Sequence, residues 1–298
     1  MKILIAGGNS QLAKEIMYIL DEGKSSLGDI DSRILKGEVI SLSREELDIT
    51  NLSQVKDVIS HIKPDIIINC AAYTNVDDCE KDFKGAFKVN ALGPRNLAIA
   101  AEETGSKLIH ISTDYVFDGE GTTPYKEYDR VNPKSVYGKT KALGDDYVRE
   151  FCSRYFIMRT SWLYGRFGKN FVYTIGNLGE KNNSIKVVDD QVGNPTNCED
   201  LAYHILKLIL TEEYGIYHCT GKGICSWYDF AVEIINLKGC DCKVNPCTTE
   251  EFPRIAKRPS NSALNNLMLE CTIGDTMRDW KEALKSFFES QINDKKEV

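Results

Sequence analysis

The chain carries no excess of positive charge. Its formal net charge is −7 at pH 7, so its overall balance does not steer it to nucleic acid or an anionic membrane. Any phosphate-bearing ligand must then be gripped by a local site. No apolar run approaches the roughly 20 residues that a membrane-spanning helix needs. The opening stretch, Lys2-Ile3-Leu4-Ile5-Ala6-Gly7, is too short an apolar run for a signal peptide. Together these absences predict a cytoplasmic protein that binds neither nucleic acid nor membrane. The ten cysteines are scattered and form no Cys-x-x-Cys pair at zinc spacing, which favours reduced thiols over a structural metal or a disulfide framework. Repeats and low-complexity segments are missing too, apart from a charged tail, Asp294 to Glu297, expected to fray. What is present is ordinary: 298 residues, 42% hydrophobic and 27% charged, enough to bury a core that needs no staple.

Hydrophobic periodicity alternates along the chain. Lys2 to Ala6 reads as a strand, followed by a glycine-rich turn and by Leu12, Ile16, Ile19 and Leu20 at helical spacing. Glu38 to Leu42 is a second strand candidate, and Leu52 to Ile62 a second helix, stopped by Pro64. Asp65 to Cys70 is a continuous apolar run, the mark of a parallel strand buried on both faces. A helix over about Ala86 to Thr104 and a strand over Lys107 to Ser112 follow. Strands alternating with helices predict right-handed crossovers and an open parallel sheet whose ligands bind beyond the carboxyl ends of its strands.

From about Arg166 the texture becomes loop-rich. A short strand is expected over Ile185 to Val188, then a helix over Asp200 to Leu210, a strand over Gly215 to Cys219, a helix over Trp227 to Ile235 and a last helix over about Asp275 to Phe288. The fold class is therefore α/β: a Rossmann-type doubly wound parallel sheet with a smaller C-terminal substrate-binding region. Residues 1–165 form the dinucleotide-binding unit, completed by about 185–220. Residues 221–298, with about 166–184, form the substrate-binding region.

Three local features carry chemistry. Gly7-Gly8-Asn9-Ser10-Gln11-Leu12-Ala13 joins the first strand to the first helix, where a pyrophosphate can rest on backbone N–H groups and the positive helix end. After the second strand, Ser43 and Arg44 stand where an acidic residue would bind the ribose hydroxyls of NAD. They can receive the 2′-phosphate of NADP instead, so NADPH is the expected cofactor, ahead of NADH. Tyr137 and Lys141 lie four residues apart, on one face of a helix. Carbonyl reduction by hydride needs an acid for the developing alkoxide. A neighbouring ammonium is expected to pull a phenol's pKa down from about 10, and Thr113 can hydrogen-bond the same oxygen.

The glycine-rich turn, Ser112-Thr113-Asp114 and the Tyr-x-x-x-Lys pair follow one another as in the extended short-chain dehydrogenase/reductases. Beyond that superfamily, the chain resembles the dTDP-4-dehydrorhamnose reductase family nearly end to end. The stretches that carry the likeness are 69–77 (NCAAYTNVD), 89–91 (VNA), 112–119 (STDYVFDG), 136–141 (VYGKTK), 159–164 (RTSWLY), 170–171 (NF), 190–196 (DQVGNPT), 226–230 (SWYDF) and 258–264 (RPSNSAL). Ser10 and Ala13 depart from the family's glycines but remain small.

The resemblance implies hydride transfer to C4 of a dTDP-linked 4-keto-6-deoxysugar. It makes Tyr137 the proton donor, Lys141 the holder of the nicotinamide ribose and Thr113 the polariser of the keto oxygen. Asp114 and Trp162 would contact the sugar, and Arg258 the diphosphate. Gly7, Ser10, Gln11, Leu12, Asp48, Ile49, Ala71, Ala72, Tyr73 and Thr74 would line the cofactor. It further implies a homodimer, and in some members a magnesium ion held by interface glutamates. Glu15 and Glu199 match two such ligands, but without a third no metal is assigned. The rival readings are an epimerase or dehydratase on the same scaffold, against which Tyr115 replaces the acidic residue a dehydratase needs, and a non-catalytic nucleotide-binding regulatory subunit.

Overall fold

A computed structural model describes residues 1–294; the charged tail from 295 onward lies outside the described residues. Six parallel strands make the central sheet: β1 (Lys2–Ala6), β2 (Glu38–Leu42), β3 (Ile66–Asn69), β4 (Lys107–Thr113), β5 (Tyr155–Thr160) and β6 (Gly215–His218). Their order is β6-β5-β4-β3-β1-β2, every neighbouring pair parallel. The helices that matter below are α1 (Gln11–Glu22), α2 (Leu52–Ile62), α3 (Gly93–Thr104), α4 (Val136–Phe151), α5 (Phe171–Lys181), α6 (Cys198–Leu208), α7 (Trp227–Lys238) and α8 (Trp280–Asp294).

Strand alternation divides the core in two. Ile3, Ile5, Ile68, Ile109 and Phe156 face α1 and α6, packing on Ile16, Ile19, Leu201 and Ile205. Leu4, Ile67, Leu108 and Ile157 face the other way, onto Val55 and Ile59 of α2, Leu97 and Ala101 of α3 and Val148 of α4. Each fully buried aliphatic side chain of this kind stabilises the fold by roughly 1.5–3 kcal/mol relative to exposure. A third cluster, Tyr164, Val172, Phe230, Trp280, Leu284 and Phe287, joins α5, α7 and α8. Among the described residues, no helix is long and apolar enough to cross a membrane.

Three expectations need correction. The helix predicted over about 86–104 is interrupted by a π-helical segment at Lys88–Leu92, and regular α-helix resumes only at Gly93. Pro94 has no N–H to give the Asn90 carbonyl, so the ladder slips by one residue and Gly93 N–H bonds the Lys88 carbonyl. The last helix starts at Trp280 rather than about 275. Asp275 and Asp279 turn their carboxylates onto the N–H groups of Met277 and Lys281, both at 2.9 Å, and hold the preceding segment out of the helix. Strand β5 and helix α5 were not expected from hydrophobic spacing alone. The strand is buried from Phe156 onward, but its last two residues are the polar pair Arg159 and Thr160, which obscures it in the sequence.

The carbonyl that Pro94 leaves free points at α4. A Cβ built on Gly144 would lie 2.2 Å from the Asn90 oxygen, so the two segments approach as closely as they do only because residue 144 is glycine. An ordinary Gly→Ala change inside a helix stabilises by about 0.5–1 kcal/mol. Gly144→Ala is expected to destabilise instead, by about 1–3 kcal/mol as overpacked cores do, measured by urea unfolding.

Candidate active site

The order β2-β1-β3 puts a topological switch point at β1, and a crevice opens there beyond the strand ends. Gly7 crosses it at φ +81°. A Cβ on that residue would sit 2.7 Å from the Ala71 nitrogen at the exit of β3, so glycine is required twice over. Ser10 takes the N-cap of α1, its hydroxyl accepting from Ala13 N–H at 3.3 Å. Gln11 reaches the other way, donating to the Leu163 carbonyl and accepting from Asn170.

One cavity of about 1180 Å³ runs from this turn to the ends of β4 and β5. It is lined by Gly7, Ser10, Gln11, Leu12, Arg44, Asp48, Ile49 and Ala71 to Thr74, and further along by Thr113, Asp114, Tyr137, Lys141 and Trp162. Two residues singled out in the sequence fall outside this lining. Ser43 gives its N–H to Glu46 at 2.8 Å and supports the Arg44 turn from behind. Arg258 donates to the Tyr115 hydroxyl at 3.1 Å and to the Asp77 carboxylate at 3.0 Å, and so meets the cavity through Tyr115.

At the end of β4, Tyr137 lies beside Thr113, whose hydroxyl donates to Asp114 at 2.8 Å. Tyr115 packs edge-on against the Tyr137 ring at 5.5 Å. Burial pushes the Tyr137 phenol up, opposed by Thr113. This overturns the expectation that Lys141 pulls it down. The Lys141 ammonium is instead turned under the strand, donating to the Ile111 carbonyl at 2.5 Å, and burial lowers its pKa to about 8 against the field of Asp145.

Several residues hold this geometry; of them only Trp162 has a role assigned from the sequence, although Asn69, Asn90 and Trp227 fall in the stretches that carry the family likeness. Asn90 clamps the Tyr73 backbone from both sides, accepting from its N–H at 2.8 Å and donating to its carbonyl at 3.0 Å. Asn69 accepts the Ala71 N–H at 3.1 Å. Trp162 takes a left-handed φ of +46° and stacks on Trp227 with ring centroids 3.5 Å apart. Gly193 makes room beneath, since a Cβ there would lie 2.7 Å from the indole. Trp227 and Lys169 also line the cavity. An aromatic at the start of α7 and a lysine in a glycine-bordered loop read as unremarkable until the fold brings them in.

Glu15 and Glu199 do come together, but the guanidinium of Arg166 lies between them, 2.5 Å from Glu15 and 3.6 Å from Glu199. Glu199 also accepts from the N–H and hydroxyl of Ser26. The two carboxylates thus share one guanidinium, which stands where an ion bridging them would. Among the described residues, no cluster of three His, Cys, Asp or Glu side chains suits a metal ion.

A doubly wound sheet with a dinucleotide crevice, a strand-end hydroxyl and a Tyr-x-x-x-Lys helix defines an oxidoreductase of the short-chain dehydrogenase/reductase class. Within it, the family described as RmlD substrate binding domain matches residues 1–292, and the chain belongs to that family, which takes in the dTDP-4-dehydrorhamnose reductases. A dTDP-4-dehydrorhamnose reductase from Aggregatibacter actinomycetemcomitans is 40% identical, with 96% of this chain and 97% of that protein covered. A crystal structure of such a reductase from Clostridium acetobutylicum is 52% identical, covers 98% of this chain and 100% of its own, and superposes with a TM-score of 0.92. The Bacillus anthracis enzyme, solved in complex with NADP, is 41% identical over 97% of this chain and 99% of its own, with a TM-score of 0.91. A UDP-glucose 4-epimerase from Thermus thermophilus at 19% identity and TM-score 0.78 shares the fold alone.

Asp114 gives the site a measurable signature. Burial raises its carboxyl to about 6, and its Oδ2 has no protein partner. The folded form binds this proton more tightly than the unfolded chain, whose value is near 3.8. The penalty is therefore absent below that value, grows as pH rises to about 6, and is full above it. Asp114→Asn is expected to raise unfolding free energy by about 1–3 kcal/mol at pH 8 and by much less at pH 4.5, while impairing turnover. Equal effects at both pH values in urea titrations would show that the carboxylate is not strained.

Proposed function

We propose that this protein reduces the C4 keto group of dTDP-4-dehydro-6-deoxy-L-mannose, giving dTDP-L-rhamnose, with NADPH as the reductant. The observation that carries the reading is the convergence, in one cavity, of the Gly7–Leu12 cradle with Tyr137, Thr113 and Asp114, the last two joined by a hydrogen bond. The residues fit the cofactor. A backbone turn free of side chains meets the start of α1, Ile49, Ala71 and Ala72 offer apolar walls, and Arg44 stands exposed at the end of β2. When bound, NADPH supplies the hydride.

The protein's own groups handle the oxygen. As the C4 carbon gains hydride, the carbonyl π electrons move onto oxygen, and the Tyr137 phenol, protonated throughout the working range, gives up its proton there. Thr113, beside that phenol, can turn its hydroxyl proton from Asp114 onto the oxygen as charge develops there. Asp114, with one oxygen uncommitted, is placed to accept from a sugar hydroxyl. Trp162 supplies a flat apolar face to the ring. Arg258, braced on Asp77, holds the diphosphate side through Tyr115. Residues 166–184 and 221–294 form the substrate-binding region of an enzyme that works in the cytoplasm.

The cofactor preference rests on Arg44 and on the NADP complex of the Bacillus anthracis relative. The sugar rests on the names of the relatives. One of them, from Streptomyces antibioticus, is called a probable 4-ketoreductase of a different dTDP-linked sugar, at 37% identity. A turnover screen over several nucleotide 4-keto-6-deoxyhexoses, followed by NADPH absorbance, tests the substrate. No oxidation of bound NADPH with any of them would favour a regulatory subunit.

Two variants test the roles. Tyr137→Phe is expected to lower kcat by at least about a hundredfold with cofactor affinity little changed. Arg44→Ala is expected to raise the KM for NADPH about tenfold, as loss of one exposed phosphate contact should, and to leave that for NADH nearly as it was.

A further inference from the structure

The helix that presents Tyr137 and Lys141 carries a third polar residue on the same face. Asp145 follows Lys141 by one turn, and both are 1% exposed. Around them lie His110 from β4, fully buried, Arg159 from β5, 4% exposed, and Asn69 from β3, 1% exposed. Burying so many polar groups under an active site needs a reason, because each costs free energy unless it is matched.

The hydrogen bonds assign that reason. The Asn69 carbonyl oxygen is committed to the Ala71 N–H, so its amide nitrogen, 3.1 Å from His110 Nδ1, is the donor there. His110 is therefore neutral with its proton on Nε2. That nitrogen lies 3.7 Å from Asp145 Oδ1 and 3.4 Å from Lys141 Nζ. A lysine ammonium cannot donate to an N–H. In its charged form it rests on the Ile111 carbonyl and the field of Asp145; in its neutral form its lone pair can accept from Nε2–H. Asp145 Oδ2 meanwhile holds Arg159 at 3.2 Å, and its charge reaches Lys141, one helical turn away, through space without an ion pair.

We infer that Asp145 and His110 are positioning residues that set the charge of Lys141 in opposite senses, Asp145 holding the cation and His110 favouring the neutral amine. Neither touches substrate. The inference rests on the proposed role of Lys141 in holding the nicotinamide ribose. The charged and titratable groups around the lysine are His110 on β4, Arg159 on β5, and Asp145 and Tyr137 on α4, with Asp114 beyond Tyr137; β3 contributes the uncharged Asn69.

The test is the pH dependence of NADPH binding to the full-length protein, followed by cofactor fluorescence from pH 6 to 10, with kcat/KM profiles on the keto sugar alongside. The wild type should lose affinity as Lys141 deprotonates. Asp145→Asn should move that alkaline limb down by at least one pH unit, and Asp145→Glu should restore it. His110→Asn, which keeps an acceptor for Asn69 but loses the Nε2–H, should move the limb up. A merely structural role would weaken binding equally at every pH or move both limbs the same way, and either result overturns the proposal. If Asp145→Asn does not fold, His110→Asn decides alone: an upward shift supports the proposal, and no shift or a downward one sinks it. If NADPH binds with this pH pattern but no keto sugar is reduced, the proposed function fails while the inference stands.

Discussion

The near-contact between the turn after β1 and the exit of β3 governs the whole site. Gly7 lies so close to Ala71 that no side chain fits between them. That closeness follows from topology: β1 sits between β2 and β3, and the chain leaves the two sides of β1 by helices on opposite faces. The crevice that results sets the start of α1, the Ala71 to Thr74 segment and the ends of β4 and β5 around one cavity. Asn69 and Asn90, both buried, then fix the backbone of that segment by hydrogen bonds. The cradle is thus stiff before anything enters it, and ordering it adds little to the cost of binding.

Around the cradle, the protein breaks the usual rules of a stable core. Lys141, Asp145, His110, Arg159 and Asp114 are all buried, Asp114 with an oxygen lacking a protein partner, and Trp162 keeps a backbone angle that favours glycine. Sheet packing elsewhere mostly follows the apolar alternation on the strands that face α1, α2, α3, α4 and α6, though Glu15, Asp200, His204 and His218 are buried there too. Low dielectric strengthens every properly aimed dipole as well as penalising every idle one, which is why the polar groups under the cavity matter to its chemistry.

Much of the fold was legible because the strands and helices that build it repeat with clean periods. β1, β2, α1 and α2 lie where spacing puts them, and β3 and β4 within a residue or so. The features that stayed hidden depend on partners distant in sequence. The π-helical segment follows from one missing N–H at Pro94, but its consequence appears only where Gly144, fifty residues on, receives the freed carbonyl. At the site, the motif residues were legible by pattern and resemblance. The direction of the Tyr137 shift was not, because adjacency on a helix does not reveal that Lys141 turns beneath β4 while burial acts on the phenol. Likewise, Glu15 and Glu199 can be matched to metal ligands by position, and the guanidinium that joins them comes from a loop residue, Arg166.

The division of labour in the cavity bears on how relatives with differently named substrates can share one scaffold. Tyr137, Thr113 and Lys141 sit on α4 and β4, elements fixed by the sheet, and on the proposed function they meet no more of the sugar than one carbonyl oxygen. On the proposed function, the walls that can read the rest come from elsewhere: Trp162 after β5, Trp227 at the start of α7, and Tyr115, held by Arg258 from a loop braced against Asp77. The Trp162–Trp227 stack rests on Gly193, so its position depends on loop packing and not on the sheet. Changes in those loops can reshape the sugar pocket by a methylene or a hydroxyl, worth about 1–3 kcal/mol each, without moving the acid by the fraction of an ångström that would cost the chemistry. On the proposed function, substrate identity and catalytic power are therefore held by different layers of the same core.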